Sequence, residues 1–251
     1  MKPRLSYTIW FSQRTGSTLL SKALTATGIA GKPDERLFVP DGRSLLEHYG
    51  CSDYAALREH LWQIGSTPNG VFGLKTSFSE PLISEVLAAF KDLPGVEAGA
   101  SRPQIWENGF PNCRHIFMTR RNKVRLAVSW WKAIQTEEWH RARGEDRQEV
   151  DLSDAYNYKA INQLYCESAM REAGMQAFFS EGGIVPLTIV YEDFIQDFEG
   201  TVRRVLAYLG LDADSAVVAA PYFDKLADDV SEAWVQRFRE ELQQGWQYRG
   251  W

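Results

Sequence analysis

Four short β-rich runs are each followed by a segment with helical periodicity, and that alternation limits the chain to few architectures. The runs are Tyr7–Phe11, Val71–Thr76, His115–Thr119 and Ile184–Val190. After the first, Ser17–Thr27 places Leu19, Leu20, Ala23 and Leu24 at helical spacing, and Gly28 reads as its stop. Asp53 caps a helix over 53–64 with Leu57, Leu61 and Ile64 on one face, and Pro81 sits at a permitted first-turn position of a helix running to Phe90. Helices are also expected from the strand end at Thr119 to about Ile134, over 152–179, from Glu192 to about Leu209, and over 231–244. Residues 94–112, rich in Gly, Pro and Asn, read as a long loop. Strands alternating with helices imply an α/β fold whose central, largely parallel sheet is covered on both faces. Ligands of such sheets bind beyond the carboxyl ends of the strands. That rim is Ser12–Thr18, Lys75–Ser77, Thr119–Asn122 and Tyr191–Asp193. No repeat or linker divides the 251 residues, so one domain over 1–251 is expected.

Charge narrows the ligand. Residues 1–132 carry 17 Lys/Arg against 11 Asp/Glu, and residues 133–251 carry 11 against 22. Two stretches, Met1–Pro33 and Asn108–Thr136, contain no acid at all. Long acid-free basic stretches favour an anion. The whole chain is acidic, with a net charge of −5, and shows no nucleic-acid motif, so a small polyanion fits better than DNA or RNA. Cys51, Cys113 and Cys166 have neither metal-ligand spacing nor the even number of a disulfide framework, which suits a reducing cytoplasm. The apolar run Tyr7–Phe11 is too short for a signal peptide, and no stretch approaches the roughly 18 apolar residues of a membrane span.

Two elements carry chemistry. Arg14-Thr15-Gly16-Ser17-Thr18 joins a strand to a helix, where backbone N–H groups and the helix N-terminus can cradle an anion. It lacks the leading Gly and the Lys of a Walker A loop; Ser17 stands where that Lys belongs. Read alone, it is also an ordinary turn with Ser17 as helix cap. In the second element Arg121 ends a strand and Ser129 lies eight residues on, about two helical turns along. The pair can grip one phosphate, with Trp130 and Trp131 as an aromatic wall. The other reading is a core of Leu126, Val128 and Trp130 beneath solvated arginines.

Together these elements resemble the sulfotransferases that use 3′-phosphoadenosine 5′-phosphosulfate (PAPS). Strand-[Arg/Lys]-x-Gly-[Ser/Thr]-[Ser/Thr] is that family's 5′-phosphosulfate loop, and strand-Arg-x7-Ser is its 3′-phosphate motif. Val190-Tyr191-Glu192-Asp193-Phe194 resembles a segment common in the family. Ser12–Leu20, Ala26–Gly31, Thr67–Lys75 and Ser129–Thr136 are similar to the bacterial Stf-zero type, which includes a trehalose-sulfating member. The resemblance implies a P-loop-like three-layer fold with PAPS as co-substrate. Arg14 with Thr15, Gly16, Ser17 and Thr18 would hold the 5′ side, and Arg121 with Ser129 the 3′-phosphate. Arg14 and Lys75 would stabilise charge on the transferring group, so no metal is implied. The acceptor would be a hydroxyl of a small metabolite, a carbohydrate or glycolipid. A homodimer is a further possibility.

The acceptor hydroxyl needs a base. The trehalose-sulfating type carries Gly-Glu-Pro where this chain has Gly31-Lys32-Pro33, followed by Asp34 and Glu35. Glu35 is the first candidate and Asp34 the second. No spacing singles out His48, His60, His115 or His140. The family's C-terminal glycine-rich donor loop is not visible, and 245–250 is no clear match. Two rival readings stay open at this stage. One is a P-loop-like nucleotide-dependent kinase. The other is a catalytically idle nucleotide-binding homologue, favoured by Lys32.

Overall fold

Strand β1 (Leu5–Phe11) is buried along its whole length, as a strand covered on both faces must be. In the computed structural model, which describes residues 1–39, 42–145, 150–223 and 228–244, β1 lies between β2 (Val71–Ser77) and β3 (Cys113–Thr119). Beyond β3 lies β4 (Leu187–Val190), giving the order β2-β1-β3-β4. All pairings are parallel, as the alternation of elements predicts. Phe11 stands opposite Ser77 and Met118, and Thr119 opposite Val190. The carboxyl ends of the four strands therefore meet at one rim.

Side chains alternate across the sheet and split the core in two. On one face Trp10, Phe72, Leu74 and Phe117 pack against α3 (Tyr54–Gly65), α4 (Glu80–Phe90), α5 (Arg102–Gly109) and α7 (Tyr158–Glu181). On the other, Tyr7, Ile9, Ile116 and Met118 pack against α1 (Ser17–Ala26) and α9 (Phe198–Tyr208). A third cluster joins α6 (Lys123–Thr136), α7 and α10 (Asp229–Gln243) through Val128, Ile161, Trp234 and Phe238. The result is a three-layer α/β fold. No described helix is long and apolar enough to cross a membrane.

Several expectations need correction. Residues 94–112 are not all loop, because α5 occupies part of them. Ser101 and Gln104 form a reciprocal capping box, Pro103 occupies the first turn, and Trp106 is fully buried. Burying a large apolar side chain stabilises by about 1.5–3 kcal/mol, which holds an eight-residue helix too short to persist alone. The helix expected over 152–179 begins only at Tyr158, capped by Asn157. The single helix expected from Glu192 to Leu209 is two, α8 (Tyr191–Gln196) and α9. Asp197 ends the first, and its carboxylate accepts from Gly200 N at 3.0 Å to cap the second. The short α2 (Leu45–Tyr49), with a Ser44/Glu47 capping box, has no counterpart in the sequence reading.

His115 gives the core a pH dependence. Trp10 Nε1 donates to His115 Nδ1 at 2.9 Å, which requires the neutral ring, and burial pushes the His115 pKa down to about 4. A free imidazole titrates near 6.5, so between about 6.5 and 4 the unfolded chain binds more protons than the folded one. Stability is therefore full above pH 6.5 and falls as the solution is acidified. Urea unfolding should show a loss of about 2 kcal/mol between pH 7 and pH 5 from this group. A flat profile over that interval would contradict the assignment.

Candidate active site

The strand-to-helix loop after β1 owes its shape to two left-handed residues, Arg14 (φ 63°) and Gly16 (φ 82°). Thr15 Oγ1 donates to the Ser12 carbonyl at 2.8 Å and pins the turn. A Cβ on Gly16 would lie 2.9 Å from Tyr191 Cδ2, so both the angle and the space require glycine there. Gly16, not Ser17, is the N-cap of α1, and no side chain caps the helix. The N-terminus of α1, with its partial positive charge, thus opens on the rim with no side-chain cap among the described residues.

Side chains from distant parts of the chain converge there on one cavity of about 1200 Å³. Lys75, from β2, is almost wholly buried; its Nζ lies 2.9 Å from Glu35 Oε1 and donates to Thr18 Oγ1 at 2.9 Å. The structure therefore brings Lys75, Glu35 and Thr18 together. Glu35 keeps a third of its side chain exposed towards the cavity. Asp34 does not line the cavity; its carboxylate accepts from Glu35 N at 2.9 Å. Lys32, which stands where the trehalose-sulfating type has an acid, is exposed, and its main-chain N–H donates to the Gly65 carbonyl at 2.8 Å.

Arg14 Nε donates to Ser129 Oγ at 3.0 Å, and its Nη1 donates to the Trp139 carbonyl. One residue from each sequence element thus meets across 115 positions. Burial, followed by the neighbouring Arg120 guanidinium, lowers the Arg14 pKa to about 10. Arg121 is placed differently. It is exposed, it pairs with Asp193 at 2.6 Å, and it is not among the cavity-lining residues. Arg120 lines the cavity instead. Of the tryptophan wall, only Trp130 faces the cavity; Trp131 Nε1 donates to the Ala155 carbonyl at 2.7 Å.

Three further features escaped the sequence reading. Arg120 is the first. His140 is the second: it lines the cavity, stacks on Phe223 with centroids 4.9 Å apart, and has its pKa lowered to about 4 by burial and then by Arg14, Lys75 and Lys22. The third is a polar cluster on the wall. Arg171 Nη1 donates to Gln13 Oε1 at 3.1 Å and to Ser77 Oγ, and its guanidinium lies 5.4 Å from the Trp130 ring. The sequence holds no local signal for His140 or Arg171, because both arrive from segments far from the loops they join. Among the described residues no group of three or more His, Cys, Asp or Glu is arranged to hold a metal ion. Residues 245–250 lie outside the described residues.

A cavity this large exceeds the roughly 300–1,000 Å³ of typical single-ligand pockets. Its lining includes cations, the first residues of α1 and hydroxyls, together with the carboxylates of Glu35, Glu138, Glu192 and Glu232. Such a site can bind an oxyanion and place a second molecule next to it.

The chain is 31% identical over 259 aligned positions to a trehalose 2-sulfotransferase of Mycobacterium tuberculosis, covering 94% of each chain. It is 30% identical over 263 positions to a trehalose 2-sulfotransferase of Mycolicibacterium smegmatis, covering 95% of this chain and 96% of that one. Its fold is similar to the crystal structure of a sulfotransferase from Alicyclobacillus acidocaldarius, with a TM-score of 0.52, 17% identity and coverage of 96% and 95%. Residues 6–241, which include every cavity residue named above, match the family model for Stf0 sulphotransferase, and the chain belongs to that family.

Proposed function

We propose that the protein transfers the sulfuryl group of PAPS to a hydroxyl of a carbohydrate, with trehalose the first acceptor to test. The observation that carries this reading is the meeting of Arg14 with Ser129, and of Lys75 with Glu35, around one cavity wide enough for two ligands. Arg14, the uncapped N-terminus of α1 and the hydroxyls of Ser17 and Thr18 would hold the 5′ side of the donor. Ser129 would contact the 3′-phosphate. Arg121 would join it only by releasing Asp193.

In the proposed reaction the acceptor oxygen attacks sulfur and a new S–O bond forms. The bond from sulfur to the 5′-phosphate oxygen breaks, and that oxygen keeps the electron pair. The acceptor proton passes to Glu35. Lys75 and Arg14 face the oxygens on which charge gathers, and fixed cations in a water-poor site stabilise such charge strongly. The names of the two curated relatives support trehalose as acceptor. The rival kinase reading would use the same in-line geometry with a metal nucleotide. The loop's lack of a Walker lysine weighs against it.

The test is transfer of labelled sulfate from PAPS to trehalose, then to a panel of sugars, in the presence of a chelator. Labelled sulfated sugar is the expected product. Phosphorylation that needs Mg²⁺ and ATP would establish the kinase. Tight binding of 3′-phosphoadenosine 5′-phosphate without turnover on any sugar would identify an idle homologue.

A further inference from the structure

We propose that Arg120, which the Arg-x7-Ser spacing passes over in favour of Arg121, is the guanidinium that grips a phosphate or sulfate oxyanion in this cavity. The proposal rests on the donor-site reading in its choice of nucleotide probe, and on the cavity alone for the oxyanion.

The two arginines are neighbours in sequence and opposites in environment. Arg121 has 61% of its side chain exposed and is satisfied by Asp193. Arg120 has 13% exposed, and its Nε is buried without a hydrogen-bond partner among the described residues. Its nearest carboxylate oxygen, Glu192 Oε1, lies 3.9 Å from that nitrogen, beyond hydrogen-bond reach. Glu192 is committed elsewhere, accepting from the main-chain N–H of Arg121 at 2.9 Å and of Asn122 at 3.1 Å. Among the described residues the guanidinium of Arg120 makes one hydrogen bond, a long one, 3.4 Å from Nη1 to the Arg14 carbonyl. The face of the group lies 4.6 Å from the Tyr191 ring, which orients it without using its donors.

A buried cation with unused donors is costly, and the cost rises when a second cation is close by. Arg14 is that second cation. Glu192 at 3.9 Å offsets part of the Arg120 charge, but the Nε donor stays unmatched among the described residues, and a buried donor in that state is exceptional in a folded protein. The cavity beside it is lined by the first residues of α1, where a helix N-terminus favours an anion, and by Ser129, whose Oγ accepts from Arg14 Nε at 3.0 Å. An oxyanion there would accept from the Arg120 fork, from Arg14 and from the first turn of α1 at once. Planar guanidinium groups are suited to two-point contact with phosphate and sulfate.

The test compares Arg120→Met, Arg120→Lys and Arg121→Ala with the parent, using inorganic sulfate and 3′-phosphoadenosine 5′-phosphate as probes. Arg120→Met should weaken nucleotide binding about 10–100-fold by calorimetry and abolish the rise in melting temperature that sulfate gives the parent. Its ligand-free melting temperature should stay level or rise, because a buried guanidinium with an unmatched donor has gone; a purely structural arginine would not behave so. Arg120→Lys, which keeps the charge and loses the fork, should fall between. Arg121→Ala should lose less than Arg120→Met. The proposal is overturned if Arg120→Met binds both probes as the parent does, if Arg121→Ala loses more, or if Arg120→Met and Arg120→Lys melt well below the parent without ligand. A parent that binds sulfate but not the nucleotide would overturn the donor reading and leave Arg120 in place. A parent that binds neither would overturn both.

Discussion

Glu35→Gln should lower turnover about 10²–10⁴-fold while nucleotide affinity stays nearly unchanged, the range expected when a general base is lost. The geometry sets this expectation. Glu35 faces the cavity with part of its carboxylate open to it, and Lys75 Nζ sits 2.9 Å from Oε1. That contact fixes the carboxylate beside the residue proposed to face the transferring group. Gln keeps the shape and one acceptor oxygen but cannot take a proton. Asp34→Asn should do much less, because Asp34 does not line the cavity and its carboxylate accepts from Glu35 N. The measurement is kcat with PAPS and a working acceptor, alongside calorimetry with 3′-phosphoadenosine 5′-phosphate. Unchanged kcat for Glu35→Gln would remove it as the base, and His140 would be the next residue to test, because it lines the same cavity.

Lys75→Met should lower kcat about 10²–10³-fold, the effect of deleting one preorganised group that stabilises developing charge. Lys75 donates to Thr18 Oγ1 and pairs with Glu35, so the ammonium is held before any ligand arrives. Removing one partner of a buried ion pair destabilises when the other is left without water, but here the partner, Glu35, is partly exposed, and methionine fills the space of the buried lysine stem. Methionine should therefore keep the fold, all the more because Glu35 retains enough exposure to be hydrated when its partner is gone. A variant that melts like the parent and turns over normally would refute the role. The double variant Glu35→Gln/Lys75→Met should lose less than the product of the single losses, because the two groups touch and act as a unit. Full multiplicativity would show instead that they work independently.

The sequence alone determined the parallel α/β sheet, the rim at which the cavity lies and the strand–loop–helix that opens it. These features arise from local rules. A β-rich run, a loop with Gly16 and an amphipathic helix specify one unit, and successive such units build a parallel sheet. Lys75 was placed at that rim because it lies near the carboxyl end of its strand. Glu35 was legible through the resemblance of its loop to a known family. The α5 helix was missed: Ser101, Pro103 and Gln104 are at capping positions, but the surrounding Gly, Pro and Asn residues read as a loop.

Tertiary structure alone decided which arginine faces the cavity. Arg120 and Arg121 are adjacent, both basic, and both at the end of β3. Both lie just beyond β3, which ends at Thr119, so strand alternation does not by itself give either of them a direction. Which one turns inward is set by the pairing of β3 with β4 and by the first residues of α8, with Tyr191 under one guanidinium and Asp193 beside the other. His140 and Arg171 were decided in the same way. Their place in the cavity depends on Phe223, Gln13 and Ser77, residues 83 or more positions away that only folding brings near. Periodicity and motif spacing record neighbours along the chain, and this cavity is assembled from side chains that are neighbours only in space.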